Sequence, residues 1–351
     1  MKTGVCFILA AAVLLVGAFE VPEVSAFGSS FGPQRWAFVL CRFADIPDTH
    51  FPPDELEDLV MAPGGVREYI EEASYGNMQI EEIVVKGWYD LPHERFYYVP
   101  RDLNGRGDGE VQFQKLAEDC TNAAGWDFSE FSVINLVFNA ELDGAAHGGA
   151  LFLVQDGVGQ WYGATWLKSF CCSPTLCCSL PTILHEGGHA LGLDHTFDSN
   201  SKWDPMGLGL DDHYIAHHKD KLGWITPERK YVHVLGSKQT IRLARLALPS
   251  VKGYLMGVIP VGPNEFYTLE LRRRKGYDMR IPMEGVVLHY VNLEQDREGF
   301  DATAQVVVKN GGRNPNGPDA VWRKGESFVT SNGVTVSVVK EDKTGFTVKI
   351  E

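Results

Sequence analysis

The stretch HEGGHALGLDH occupies residues 185–195 and sets three histidines, one glutamate and three glycines within eleven positions. On an α-helix, residues four apart stand one above the other on the same face. His185 and His189 can therefore aim two imidazoles at a single point. A third imidazole six residues further on cannot come from the same unbroken helix. The chain must turn back, and Gly192 is where a left-handed, helix-ending conformation costs least. His195 then completes a three-histidine set with a fourth position open, the arrangement of a catalytic zinc site rather than a structural one. Glu186, beside the first ligand, falls where its carboxylate can take a proton from water without itself being a ligand. The adjacent Gly187 and Gly188 each cost a helix interior about 1 kcal/mol against alanine. Metal–ligand bonds offset that loss without requiring glycine at either place. Close packing of another segment against the back of the helix would require it.

This stretch belongs to a chain of 351 residues, 44% hydrophobic, enough for one large domain or two ordinary ones. Residues 1–26 read as a secretory signal peptide. Lys2 opens it, the apolar run VCFILAAAVLLVGAF spans 5–19, and VSA at 24–26 offers small residues for cleavage. Fifteen apolar residues fall short of the roughly 20 a spanning helix needs. A secreted, extracellular chain with no membrane attachment after signal removal is expected. Six cysteines then remain (41, 120, 171, 172, 177 and 178), so disulfides are expected among 15 pairings. CCSPTLCC (171–178), with its Ser-Pro turn, suits a local bridge better than a thiolate metal cluster.

The formal charge of −14 argues against nucleic acid or an anionic membrane surface as partner. The one dense basic run, RRRK (272–275), reads as a solvated strand end, and DLNGRGDGE (102–110) as a polar turn rather than a calcium loop or adhesion motif.

RWAFVLCRFAD (35–45) and VINLVFNA (133–140) read as buried strands, and GALFLVQ (149–155) and WYGATWLKSF (161–170) as strand material before the histidine motif. Residues 64–92 give a helix, a Gly-Asn turn and a strand, and 109–125 carries helical spacing. Beyond residue 229 the helical period disappears. FYTLELR (266–272), GVVLHYV (285–291), VTVSVV (334–339) and GFTVKI (345–350) are strands between Gly, Pro and Asn turns. The expected fold is α+β over 35–228 followed by an all-β, sandwich-like domain over 229–351, the two packed closely.

The pattern H-E-x-x-H-x-x-G-x-x-H, followed by WDPMG (203–207), resembles the metzincin metalloproteases. YIEEASYGNMQI (69–80) and HKDKLGWI (218–225) are similar to the gametolysin (autolysin) type, and residues 267–291 to secreted proteases of the immune-inhibitor type. The resemblance implies a zincin catalytic domain and a secreted zinc endopeptidase. His185, His189 and His195 would hold Zn2+, Glu186 would be the catalytic base, and Met206 would be the turn methionine under the histidines. Its substrate would be an extracellular matrix or cell-wall protein, bound as an added strand along GGALFL (148–153) or YGATWL (162–167). No tyrosine stands two residues after Met206; Tyr214 is expected to pack the core, and His213, His217 and His218 to form a polar helix face. The competing reading is a catalytically inactive, zinc-containing binding or adhesion protein. Glu186 weighs against it, because a structural site has no use for a carboxylate there.

Overall fold

RWAFVLCRF (35–43) lacks polar–apolar alternation because the strand it forms is covered on both faces. Trp36, Phe38 and Leu40 enter one hydrophobic cluster, and Ala37, Val39 and Cys41 enter another. The structure, a computed structural model, describes residues 29–351 apart from 101–108, 145, 170–179, 199, 208–211, 295, 298 and 299. The expected signal peptide, the CCSPTLCC cluster and most of the expected polar turn at 102–110 lie outside the described residues.

In chain order the elements are β1 (Gly32–Arg42), α1 (Pro53–Met61), α2 (Val66–Ala73), β2 (Met78–Asp90), α3 (Arg95–Tyr98), α4 (Phe113–Ala124), β3 (Val133–Phe138), β4 (Ala146–Gln155) and β5 (Val158–Lys168). The histidine helix α5 (Leu180–Ala190), β6 (His195–Thr196) and α6 (Ala216–Lys221) follow. Thereafter come strands and short 3-10 turns only: β7 (Lys230–Val232), β8 (Gln239–Ala244), β9 (Met256–Pro260), β10 (Glu265–Arg272), β11 (Gly285–Asn292), β12 (Asp296–Arg297), β13 (Phe300–Val306), β14 (Val321–Trp322), β15 (Ser327–Val329), β16 (Thr335–Glu341) and β17 (Gly345–Ile350). The fold is α+β and sheet-rich, with a C-terminal all-β region.

The first sheet runs β2-β1-β3-β5-β4. β1, β2, β3 and β5 are parallel, and the outermost strand β4 is antiparallel to β5. α1, α2 and α5 share one buried cluster with one face of this sheet, and α4 packs on the other. A disulfide between Cys41 and Cys120 ties β1 to α4. In the C-terminal region, the path β12-β13-β11-β10-β9-β7 and the sheet β15-β16-β17-β8 bury a common core of Leu269, Leu288, Val336, Phe346 and Val348, among others. β6 leaves the first half to pair with β13.

The two halves meet through polar groups that the sequence reading placed at the surface. Arg272 is fully buried, its guanidinium bonded to Glu270 at 3.0 Å and Asp278 at 2.5 Å. The expectation of a solvated strand end for RRRK holds at Arg274 and Lys275, which are exposed beyond the end of β10. It fails at Arg272, where the 3-10 turn Gly276–Arg280 brings Asp278 back onto the guanidinium. Nor do His213, His217 and His218 form a polar helix face, all three being buried. Lys219 Nζ donates to Ala73 O at 2.7 Å and contacts His213 Nδ1 at 2.8 Å, while His213 Nε2 meets Glu72 at 2.7 Å. α6 is covered on every side, with β10 beneath it, so its charges find partners inside the fold. Tyr214 packs in the core as expected, its hydroxyl donating to Leu184 O at 2.7 Å.

His289, on β11, is buried with no hydrogen-bond partner on either ring nitrogen. Burial above all, with Arg272 and His218 nearby and Asp204 opposing them, holds its pKa down at about 3. An unfolded histidine titrates near 6.5, so on acidification the unfolded chain takes up this proton first. The His289 contribution is complete above about pH 6.5 and is lost as pH falls toward 3, with a slope of about 1.4 kcal/mol per pH unit. Urea unfolding midpoints of His289→Asn between pH 7 and pH 4 are therefore expected to decline less steeply than those of the unsubstituted chain. Equal slopes would contradict this.

Candidate metal centre

α5 buries Leu180, Ile183 and Leu184 against the first sheet and leaves His185 and His189 half-buried on one side. The helix ends where the sequence reading placed its end. Gly192 adopts φ +88°, Gly192 N–H donates to His189 O at 2.9 Å, and Leu193 N–H donates to Gly188 O at 2.9 Å. This pair of bonds closes a helix terminus around a left-handed residue. The reversal returns the chain so that His195, on β6, faces the two helical histidines.

One nitrogen from each of His185, His189 and His195 lies within 4.8 Å of the other two. His189 Nε2 and His195 Nε2 stand 3.1 Å apart. Two nitrogens sharing a tetrahedral ion at about 2.0–2.1 Å stand roughly 3.3 Å apart, so the spacing fits. The orienting contacts agree. His185 Nδ1 meets Pro205 O at 2.7 Å, and His189 Nδ1 meets Leu193 O at 2.8 Å. A carbonyl accepts only, so each Nδ1 donates its hydrogen, which in the neutral ring leaves the lone pair on Nε2. Burial and the neighbouring imidazoles of His195 and His185 hold His189 down to about 3, which leaves it neutral and able to ligate. Three imidazoles suit zinc, copper, nickel or iron rather than calcium or magnesium. The triple-histidine group can hold a metal ion; His213, His217 and His218 do not join it.

Glu186 is 7% exposed, and burial raises its carboxyl to about 7. Among the described residues no hydrogen bond engages that carboxylate. Met206 is fully buried in a turn in which Gly207 N–H donates to Asp204 O at 3.0 Å. A methyl at Gly188 would lie 2.4 Å from the Met206 sulfur, so the methionine occupies the space that this glycine leaves. Gly187 meets nothing closer than 3.8 Å; nothing in the structure explains glycine there.

Sequence reasoning missed the glycines on the sheet side. A Cβ at Gly148 would lie 2.2 Å from Glu186 O, and one at Gly163 would lie 2.6 Å from Ala190 O. These β4 and β5 positions let the backbone of α5 lie almost against the sheet, and only the tertiary packing reveals the need. β5 is paired on both sides, whereas β4 is the outermost strand, so of the two candidate edges only 148–153 has an unpaired side among the described residues.

No family model matches the chain, and no curated protein matches it. Among the described residues no helix is long and apolar enough to cross a membrane.

Gly148→Ala must push α5 away from β4. It is expected to destabilise by about 1–3 kcal/mol and to weaken metal binding, read by thermal denaturation and by competition with a chelator. A variant unchanged in both would contradict so close an approach.

Proposed function

We propose that the chain is a secreted zinc-dependent endopeptidase of the metzincin type, acting on extracellular proteins. One observation carries the reading: three imidazole nitrogens lie within 4.8 Å of one another on and just after the helix that carries Glu186, a buried carboxylate that no hydrogen bond engages among the described residues. A structural metal site gains nothing from such a group, and burying it costs stability. The disulfide between Cys41 and Cys120 is compatible with an oxidising, extracellular setting.

Bound zinc would supply Lewis acidity toward a peptide carbonyl and toward water. The chain does the rest. Glu186 takes a proton from the attacking water and delivers it to the departing amine nitrogen. Pro205 O and Leu193 O keep the His185 and His189 rings in the required tautomer. The free edge of β4 offers backbone N–H and C=O groups to an extended peptide. Gly148 sets the β4 backbone directly against that of Glu186, so this strand and the carboxylate's helix are immediate neighbours.

Glu186→Gln is expected to retain zinc while casein hydrolysis falls by roughly 10²–10⁴-fold, the usual share of a general base. A chelator should abolish hydrolysis by the unsubstituted protein, and zinc should restore it. Zinc bound at full stoichiometry with no hydrolysis of any peptide would instead favour the binding-protein reading.

A further inference from the structure

α5 supplies His185, Glu186 and His189. The remaining parts of the centre come from residues 195–206: the imidazole of His195, the Pro205 carbonyl that orients His185, and Met206 against Gly188. Several anchors of this segment lie beyond residue 229. β6 pairs in parallel with β13, His195 opposite Ala302 and Thr196 opposite Ala304. Phe197 N–H donates to Ala304 O at 2.7 Å, and Val306 N–H donates to Asp198 Oδ2 at 3.0 Å. At the other end of the segment, the Trp203 indole donates to Pro315 O at 2.6 Å, and Arg272 donates to Trp203 O at 2.7 Å.

We propose that β13, clasped by Asp198, is a positioning element of the metal centre, so that the C-terminal β region builds half of the site instead of being appended to it. The inference rests on the metal reading given above. His195 lies on a two-residue strand whose backbone is held in register by β13. Groups that orient a metal ligand without touching the metal are worth roughly 10–100-fold in affinity. Asp198 is such a group at one remove: its carboxylate accepts the Val306 N–H three residues after the His195 imidazole leaves the chain. A brace that served folding alone would change stability and leave affinity untouched.

The test uses the full-length chain as Asp198→Ala, Asp198→Asn and Trp203→Phe. Zinc affinity is read by competition with a chromophoric chelator, site geometry by the visible spectrum of the cobalt-substituted protein, and folding by melting of the metal-free form. Asp198→Ala is expected to bind zinc roughly 10–100-fold more weakly, with an altered cobalt spectrum and nearly unchanged metal-free melting. Asp198→Asn, whose amide oxygen still accepts from Val306, should recover most of the affinity. Trp203→Phe, which keeps an aromatic ring in the core and loses only the bond to Pro315, should weaken zinc in the same direction and guards against a misfolded alanine variant. Zinc affinity and cobalt spectrum unchanged in both Asp198→Ala and Trp203→Phe would overturn the proposal, even with lowered melting. An unsubstituted chain that binds no zinc would overturn the metal reading itself, a result distinguishable from failure of the variants alone.

Discussion

Three imidazole nitrogens must come within 4.8 Å of one another, and a straight helix can bring only two of them there. Much of the local structure follows from that. The chain must reverse at once after α5, which Gly192 permits at φ +88°. The helix also lies close against the sheet, and Gly148 and Gly163 remove the side chains that would hold it off. Gly188 leaves room for Met206 beneath the returning segment. Four glycines that look unrelated along the chain thus answer to one geometric demand.

Two buried carboxylates show how the fold separates structure from chemistry. Glu270 is fully buried and matched, bonded to Arg272, which also holds Asp278. Arg272 in turn donates to Trp203 O and holds the base of the segment that carries Met206. Glu186 is nearly as buried, no hydrogen bond or ion pair engages it among the described residues, and its carboxyl is raised to about 7 by desolvation alone. The first carboxylate is spent on holding two parts of the chain together. The second carries no such structural bond among the described residues, which is what the proposed role in proton transfer requires.

The convergence of His185, His189 and His195 and the turn at Gly192 were legible in the sequence because each depends on spacing within a few residues. The C-terminal strands were legible for the same reason. Charge was misread. Arg272 looked solvated because a local turn, which residue types alone did not announce, folds Asp278 back onto it, and His213 because its partner Glu72 comes from a distant segment that meets it only in the folded chain. Gly148 and Gly163 escaped notice because a glycine in a strand announces nothing about which backbone will approach it. The choice between β4 and β5 as the free edge needed strand order, which alternation within one strand does not encode.

The division at residue 229 is clear in composition and less clear in the packing. The strands of the first sheet all precede it and most strands of the other two follow it, yet β6, carrying His195, is hydrogen-bonded into the later sheet. An ion held by α5 and β6 together would span the first-half core and the C-terminal sheet, acting as a strut between parts of the chain more than a hundred residues apart. Ligand binding to the folded form alone adds its free energy to folding. If β13 positions His195, metal affinity and the docking of the two halves would be coupled: loosening the β13 contact would weaken the site, and a filled site would resist the loosening.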